Sequence, residues 1–327
     1  MLIFILLLPI IFFIAAFLVN AAMFRPEKRP EANIDGRGVT FPSGRNHLAG
    51  YLWNEAGTRG LLVFAHGMGT GIAYYLPEIH HFAAQGYQVF AFAYSGYQGS
   101  TGHFYGFPQA VIDLKHALDF VDDGSRPVIL MGHSMGSLAV RAFVAEHDSC
   151  VDMLIVCGSP SYNTAMPLGV AIAKTEKAVF GPRHRSKLIE TMSFGAGAMK
   201  FRKDKRCTAW ICSDPDVAKE YEESELCGFT FTDDAYLALF ELMKRAYDVE
   251  HFSCTNPDMP VLFVSGAEDP CLINVRHFAK TVRAMRRAGY KDVKGKLYPG
   301  MRHEILNEIG REQVYHDIAV YMRKKGF

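Results

Sequence analysis

Val128-Ile129-Leu130-Met131-Gly132-His133-Ser134-Met135-Gly136-Ser137-Leu138-Ala139-Val140-Arg141 decides the fold. The four apolar residues at its start read as a buried strand and the stretch from Ser137 onward as a helix, so the chain reverses between them at Gly132 to Gly136. Gly-x-Ser-x-Gly in that setting is a nucleophile elbow: glycines on both sides of Ser134 relieve crowding in a strained turn that pushes its hydroxyl out of the backbone. The bland alternative is a glycine-bearing turn with a solvated serine.

A serine hydroxyl is a weak nucleophile without a base, and the base needs an orienting group. Both are available downstream. The apolar run Val261-Leu262-Phe263-Val264-Ser265-Gly266 reads as a buried strand ending in Ala267-Glu268-Asp269-Pro270, which offers Asp269 as the acid. A last strand, Val293 to Tyr298, runs into Pro299-Gly300-Met301-Arg302-His303, which offers His303 as the base, with a helical pattern expected from Glu304. Upstream, Leu61-Leu62-Val63-Phe64-Ala65 leads into His66-Gly67-Met68-Gly69. That loop and the elbow are where an oxyanion hole is expected if the chain takes the fold that such an elbow implies, with the backbone N–H groups of Met68 and Met135 as its donors. Asp113 falls mid-helix and ranks below Asp269, and His80, His81 and His133 read as structural.

At these residues the chain resembles the α/β-hydrolase superfamily, whose order of nucleophile, acid and base matches Ser134, Asp269, His303. Within it the chain is similar to the monoacylglycerol lipase and lysophospholipase branch of the serine aminopeptidase-like hydrolases, over about residues 45 to 325. The pieces that carry this are Gly132 to Gly136, Arg302-His303-Glu304-Ile305-Leu306-Asn307-Glu308, Ala209-Trp210-Ile211-Cys212-Ser213-Asp214 and Leu226-Cys227-Gly228-Phe229-Thr230-Phe231-Thr232. Two segments depart from it: Thr70-Gly71 stands where the branch has a Glu-His pair, and Ala93-Tyr94-Ser95-Gly96-Tyr97-Gln98-Gly99-Ser100 replaces its Asp-x-Arg-Gly-His-Gly loop. The resemblance implies a serine ester hydrolase acting on single-chain lipids, without a cofactor. Two other readings share the same core: a peptidase acting on small N-terminal residues, and a non-catalytic binding protein.

Apolar runs alternate with helical patterns from Val63 onward, which implies a mostly parallel central sheet flanked by helices. Gly38 to Trp53 reads as an antiparallel hairpin before it. Between the strand Met153 to Cys157 and the strand at Val261 lie roughly 100 residues, far more than a crossover needs, so a helical cap is expected after the sixth strand. The expected organisation is a core over 38–160, a cap over 161–258 and the rest of the core over 259–327. A cap over the strand ends could build an apolar tunnel for an acyl chain. Its basic cluster, Lys200, Arg202, Lys203, Lys205 and Arg206, with Arg183, Arg185 and Lys187 upstream, reads as a solvated face or as a contact with anionic lipid.

Met1 to Phe24 contains no charged residue. At about 1.5 Å per residue such a helix spans a hydrocarbon core of roughly 30 Å, so 1–24 is expected to be a transmembrane anchor and 25–37 a juxtamembrane linker. A signal peptide cleaved near Val19-Asn20-Ala21 competes less well, because no Lys or Arg precedes the apolar run. Arg25, Lys28 and Arg29 follow it, which places the catalytic domain in the cytoplasm under the positive-inside rule. The seven cysteines are odd in number and lack metal-ligand spacing, as do the histidines; free thiols and no metal are expected. A net charge of +1 disfavours nucleic acid as a partner.

Overall fold

Strands that are apolar along their whole length must be covered on both faces, and this chain supplies the cover between them. The computed structural model describes residues 33–97, 103–224 and 227–327. Its strands are β1 (Arg37–Ser43), β2 (Asn46–Trp53), β3 (Leu61–Ala65), β4 (Gln88–Phe92), β5 (Val128–His133), β6 (Met153–Cys157), β7 (Val261–Gly266) and β8 (Val293–Tyr298). They form one sheet in the order β1-β2-β4-β3-β5-β6-β7-β8. The first three in that order pair antiparallel and the rest parallel. This is the α/β-hydrolase fold expected from the elbow and its flanking runs.

Period-2 alternation divides the strand residues between two cores. Ile129, Met131, Ile155 and Val264 face α1 (Leu76–Ala84) and the C-terminal helix Arg311–Lys324, whereas Leu130, Leu154, Val156 and Phe263 face α2 (Gln109–Val121), α3 (Met135–His147) and the helix Val275–Arg287. Beyond β7, the edge strand β8 carries Lys294 and Lys296 exposed, which discourages pairing with another chain. Asp113, on α2, is buried and accepts from Ser43 Oγ at 2.6 Å and from Ser95 N at 2.7 Å, so it ties β1 to the loop after β4.

Between β6 and β7 lie α4 (Met166–Phe180), α5 (Lys187–Lys200), α6 (Pro215–Glu223) and α7 (Asp233–Tyr247). Side chains of Ser186, Asp214 and Thr232 accept from backbone N–H groups in the first turns of α5, α6 and α7. The α7 helix packs on α4 and on α3, the helix that follows the elbow.

Two local expectations change. Strand β1 begins at Arg37, inside the range read as linker. No helix begins at Glu304; the next one starts at Arg311. The Glu308 carboxylate accepts from Arg302 N at 2.6 Å and Ser213 N at 2.9 Å, while Ile305 and Leu306 are fully buried, so this segment is held as irregular chain between core and cap. Among the described residues no helix is long and apolar enough to cross a membrane, and the apolar segment Met1 to Phe24 lies outside them.

The elbow fits only because its glycines have no Cβ. A Cβ on Gly136 would lie 2.0 Å from the Ala65 carbonyl oxygen, and one on Gly132 2.4 Å from that of Gly136. The obstacles are backbone atoms in the sheet centre, which cannot move aside cheaply. Gly136→Ala is therefore expected to cost about 3 kcal/mol or more and to lower Tm by about 5 °C or more in thermal unfolding. Gly71→Ala, where nothing lies within 4 Å of the new Cβ, leaves Tm nearly unchanged.

Candidate active site

Parallel strands deliver the loops at their C-terminal ends to one edge, and the register fixes which loops meet there. Ala65 on β3 is opposite Gly132 on β5, His133 is opposite Cys157 on β6, and Gly266 on β7 is opposite Tyr298 on β8. Ser134, Met68, Asp269 and His303, each just past one of these strand ends, are therefore gathered although up to 235 positions separate them in sequence.

Ser134 has φ 51° and ψ −115°, a conformation that costs a non-glycine residue about 1–3 kcal/mol. Its N–H donates to Cys157 O at 3.0 Å, and its carbonyl accepts from Ser137 Oγ at 2.5 Å, bonds that hold the turn from both sides. Ser134 Oγ lies 2.8 Å from His303 Nε2, and His303 Nδ1 lies 3.0 Å from Asp269 Oδ2. A carboxylate only accepts, so Nδ1 carries the proton and Nε2 is left to accept from the serine. Asp269 is itself fixed by donors, Cys271 N at 2.8 Å and Ser265 Oγ at 3.3 Å.

Burial pulls the His303 imidazole down, but the adjoining Asp269 carboxylate outweighs it and holds the ring well above its ordinary value. His133 is the opposite case: burial takes it down to about 3, so it is neutral. Its Nε2 lies 3.1 Å from the His303 carbonyl oxygen, which can only accept, so Nδ1 in turn accepts from Tyr75 Oη at 2.9 Å. Tyr75 Oη also receives Gly67 N at 3.3 Å and Thr70 Oγ1 at 3.2 Å. One chain of hydrogen bonds thus runs from the loop after β3, through the elbow histidine, to the backbone of His303. Beneath it, burial pushes the Glu304 carboxyl up to about 7.

On the other side of the same loop, Gly69 N donates to Tyr97 Oη at 2.6 Å. Among the described residues the intervening Met68 N–H and the Met135 N–H at the start of α3 make no hydrogen bond, and both residues line the cavity that Ser134 and His303 also line. This cavity has a volume of about 610 Å³. Cap residues make much of its wall: Phe194 stacks on Trp210 at 4.9 Å, Trp210 lies 5.4 Å from the His303 ring, and Leu239, Phe240 and Met243 come from α7.

Residues 56–310 match the family model described as serine aminopeptidase, S33. The chain belongs to the S33 family of α/β-hydrolases. Over 280 residues it is 25% identical to a monoacylglycerol lipase of Mycolicibacterium smegmatis, covering 83% of this chain and 91% of that one. A thermostable carboxyl esterase from Bacillus coagulans, crystallised with glycerol, superposes with a TM-score of 0.81 at 21% identity, over 90% of this chain and all of the other. A soluble variant of monoglyceride lipase from Saccharomyces cerevisiae gives 0.63 at 18% identity, over 90% and 99%. These structural likenesses concern the fold.

Several residues of this S33 site escape a sequence reading. Tyr75, Tyr97, Ser265 and Cys271 act by position alone, and no spacing announces them. Trp210 and Phe194 lie in the cap, where apolar residues that line a cavity look the same in sequence as those that pack a core. Within α7, Leu239, Phe240 and Met243 recur at helical spacing, the one signal that could have picked them out. In the basic cluster, Lys200 pairs with Glu268 at 2.8 Å and Arg206 with Glu222 at 2.9 Å, whereas Arg202, Lys203 and Lys205 are exposed.

The charge balance at His303 sets a pH dependence. An imidazole whose folded pKa is raised contributes stability that is full below its unfolded value, about 6.5, and is lost as pH rises through the folded value. Proton NMR titration is expected to place His303 above 6.5, and Asp269→Asn to move it down. The stability difference between wild type and Asp269→Asn in urea should shrink as pH climbs past the wild-type midpoint. A His303 midpoint below 6.5 in the wild type would contradict the assignment.

Proposed function

We propose that the protein is a serine hydrolase that cleaves carboxylic esters of single-chain lipids, monoacylglycerols or lysophospholipids, through an acyl-enzyme. The observation that carries this is the Ser134–His303–Asp269 hydrogen-bond relay opening into an apolar cavity of about 610 Å³, within the usual size range of ligand pockets. The curated relative named as a monoacylglycerol lipase supports the substrate class.

In the proposed reaction Ser134 Oγ attacks the ester carbonyl carbon as its proton passes to His303 Nε2. The tetrahedral oxyanion receives the N–H groups of Met68 and Met135, each worth on the order of 3 kcal/mol in the transition state. Collapse breaks the C–O bond, and the alcohol leaves with the proton from His303. Water then attacks the acyl-enzyme, giving its proton to His303, and the fatty acid departs as Ser134 is reprotonated. Asp269 keeps the imidazole in the tautomer that accepts at Nε2 and stabilises its charged form.

Glu190 favours a second reading, a peptidase: it is a cap carboxylate that lines the cavity, where it accepts from Thr230 Oγ1 at 2.9 Å, and a substrate amine could pair with it. A panel of monoacylglycerols, lysophospholipids and aminoacyl amides separates the readings. We expect kcat/KM for monoacyl lipids to rise with chain length, by up to about 0.8 kcal/mol for each buried methylene, until the cavity is full. Ser134→Ala and His303→Ala should lose up to about a million-fold in kcat, and Asp269→Asn less. A flat chain-length profile with faster amide cleavage would establish the peptidase. Failure of Ser134 to react with a fluorophosphonate would leave the fold as a binding protein.

We further propose that Met1 to Phe24 anchors the enzyme in a membrane, with the hydrolase on the cytoplasmic side; the uncharged segment and the Arg25, Lys28 and Arg29 that follow it support this. The full chain should remain in the membrane fraction after a carbonate wash and resist protease added outside intact cells. Release of a form beginning near Ala22 would reverse the proposal.

A further inference from the structure

In the cap, well apart in sequence from the catalytic residues, Glu176 on α4, His184 on the following loop and Asp233 at the start of α7 turn toward one another. A carboxylate oxygen of each acid and a ring nitrogen of the histidine all lie within 4.8 Å of one another. His184 Nδ1 is 3.0 Å from Asp233 Oδ2. The Asp233 side chain is fully buried, yet its other oxygen, Oδ1, has no hydrogen-bond partner, and neither has the buried Oε2 of Glu176. Such buried oxygens are costly to leave unmatched. The neighbouring Lys177 is already engaged with Asp234 at 2.5 Å.

We propose that Glu176, His184 and Asp233 form a binding site for a divalent transition-metal cation of the zinc type, which pins α4 to α7. One imidazole and two carboxylates are a suitable donor set for such ions, and water can fill the remaining positions. Around a tetrahedral ion with bonds of about 2.1 Å, donors sit about 3.4 Å apart, so the cluster needs only small side-chain rotations to close. The backbone is already braced for this, since Asp233 N donates to His184 O at 2.8 Å and the His184 ring packs on Phe180. Because α4 supplies Met166 and Gly169 to the cavity wall and α7 supplies Leu239, Phe240 and Met243, the ion would stiffen the cap over the acyl site. The competing occupant is a proton, shared between the Asp233 carboxylate and the His184 ring that faces it at 3.0 Å. The sequence expectation of no metal rests on ligand spacing, which cannot register three donors brought from separate elements.

The test uses the whole chain, stripped with a chelator and titrated with zinc chloride by calorimetry at pH 7.5, with cobalt chloride absorption as a second readout. One equivalent should bind with a Kd in the micromolar range or below, raise Tm and give a visible cobalt band. Glu176→Gln and His184→Asn should each weaken binding at least tenfold while the far-ultraviolet circular dichroism stays native. Cys271→Ser serves as the control for a second group of donors, Asp269, Cys271 and His303, whose atoms also lie within 4.8 Å of one another; it should leave calorimetric binding intact. Absence of binding overturns the proposal. So does binding that survives both cap variants or disappears with Cys271→Ser.

Discussion

The contact on which the structure depends is the approach of the elbow backbone to the end of β3. Gly136 sits so close to the Ala65 carbonyl that any side chain is excluded, and Gly132 is closed off by Gly136 itself. This packing forces Ser134 into a left-handed conformation and launches α3 from the centre of the sheet. The strain is local and small beside the burial of β3, β5 and β6, whose residues are inaccessible along their full length. A rigid sheet therefore supplies the energy to hold one residue in a posture it would not adopt alone.

From that posture the rest of the site follows by hydrogen bonding. Neutral His133 links the loop after β3 to the carbonyl of His303, so that loop and the His303 segment are braced against the same strand end. Two tyrosines hold the amides on either side of Met68, whose own N–H makes no hydrogen bond among the described residues. The electrostatics diverge in a useful way: two histidines a few ångströms apart are driven in opposite directions, His133 down by burial and by the His303 charge beside it, His303 up because the Asp269 carboxylate outweighs its burial. The neutral one serves as a strut, and the other can take up and return a proton.

The cap contributes shape where the core contributes chemistry. Its helices are capped by Ser186, Asp214 and Thr232, and α7 rests on α3, so the cap is tied to the helix that the elbow starts. Trp210 and Phe194 carry an apolar wall up to the base. The family model is described as a serine aminopeptidase and the curated relative as a monoacylglycerol lipase, and Glu190 on the cavity wall keeps the peptidase reading open to measurement.

Much of this was legible in the residues alone. Gly132 to Gly136 between a strand and a helix implied the elbow, and two later strands ending in Asp269 and His303 supplied partners in an order that fits the fold, because covalent connectivity fixes chain order and apolar period fixes strand and helix. The hairpin before β3 and the long insertion after β6 were visible for the same reason. The tertiary structure alone decided what depends on distance across the chain: that Ser265 and the Cys271 N–H fix Asp269, that Glu304 to Gly310 stays irregular because Glu308 is claimed by Arg302 and Ser213, and that Tyr75 reaches His133. It also gathered Glu176, His184 and Asp233. A sequence records which groups a chain carries, but hydrogen bonds and buried charges act over about 3 Å, and only folding sets those distances.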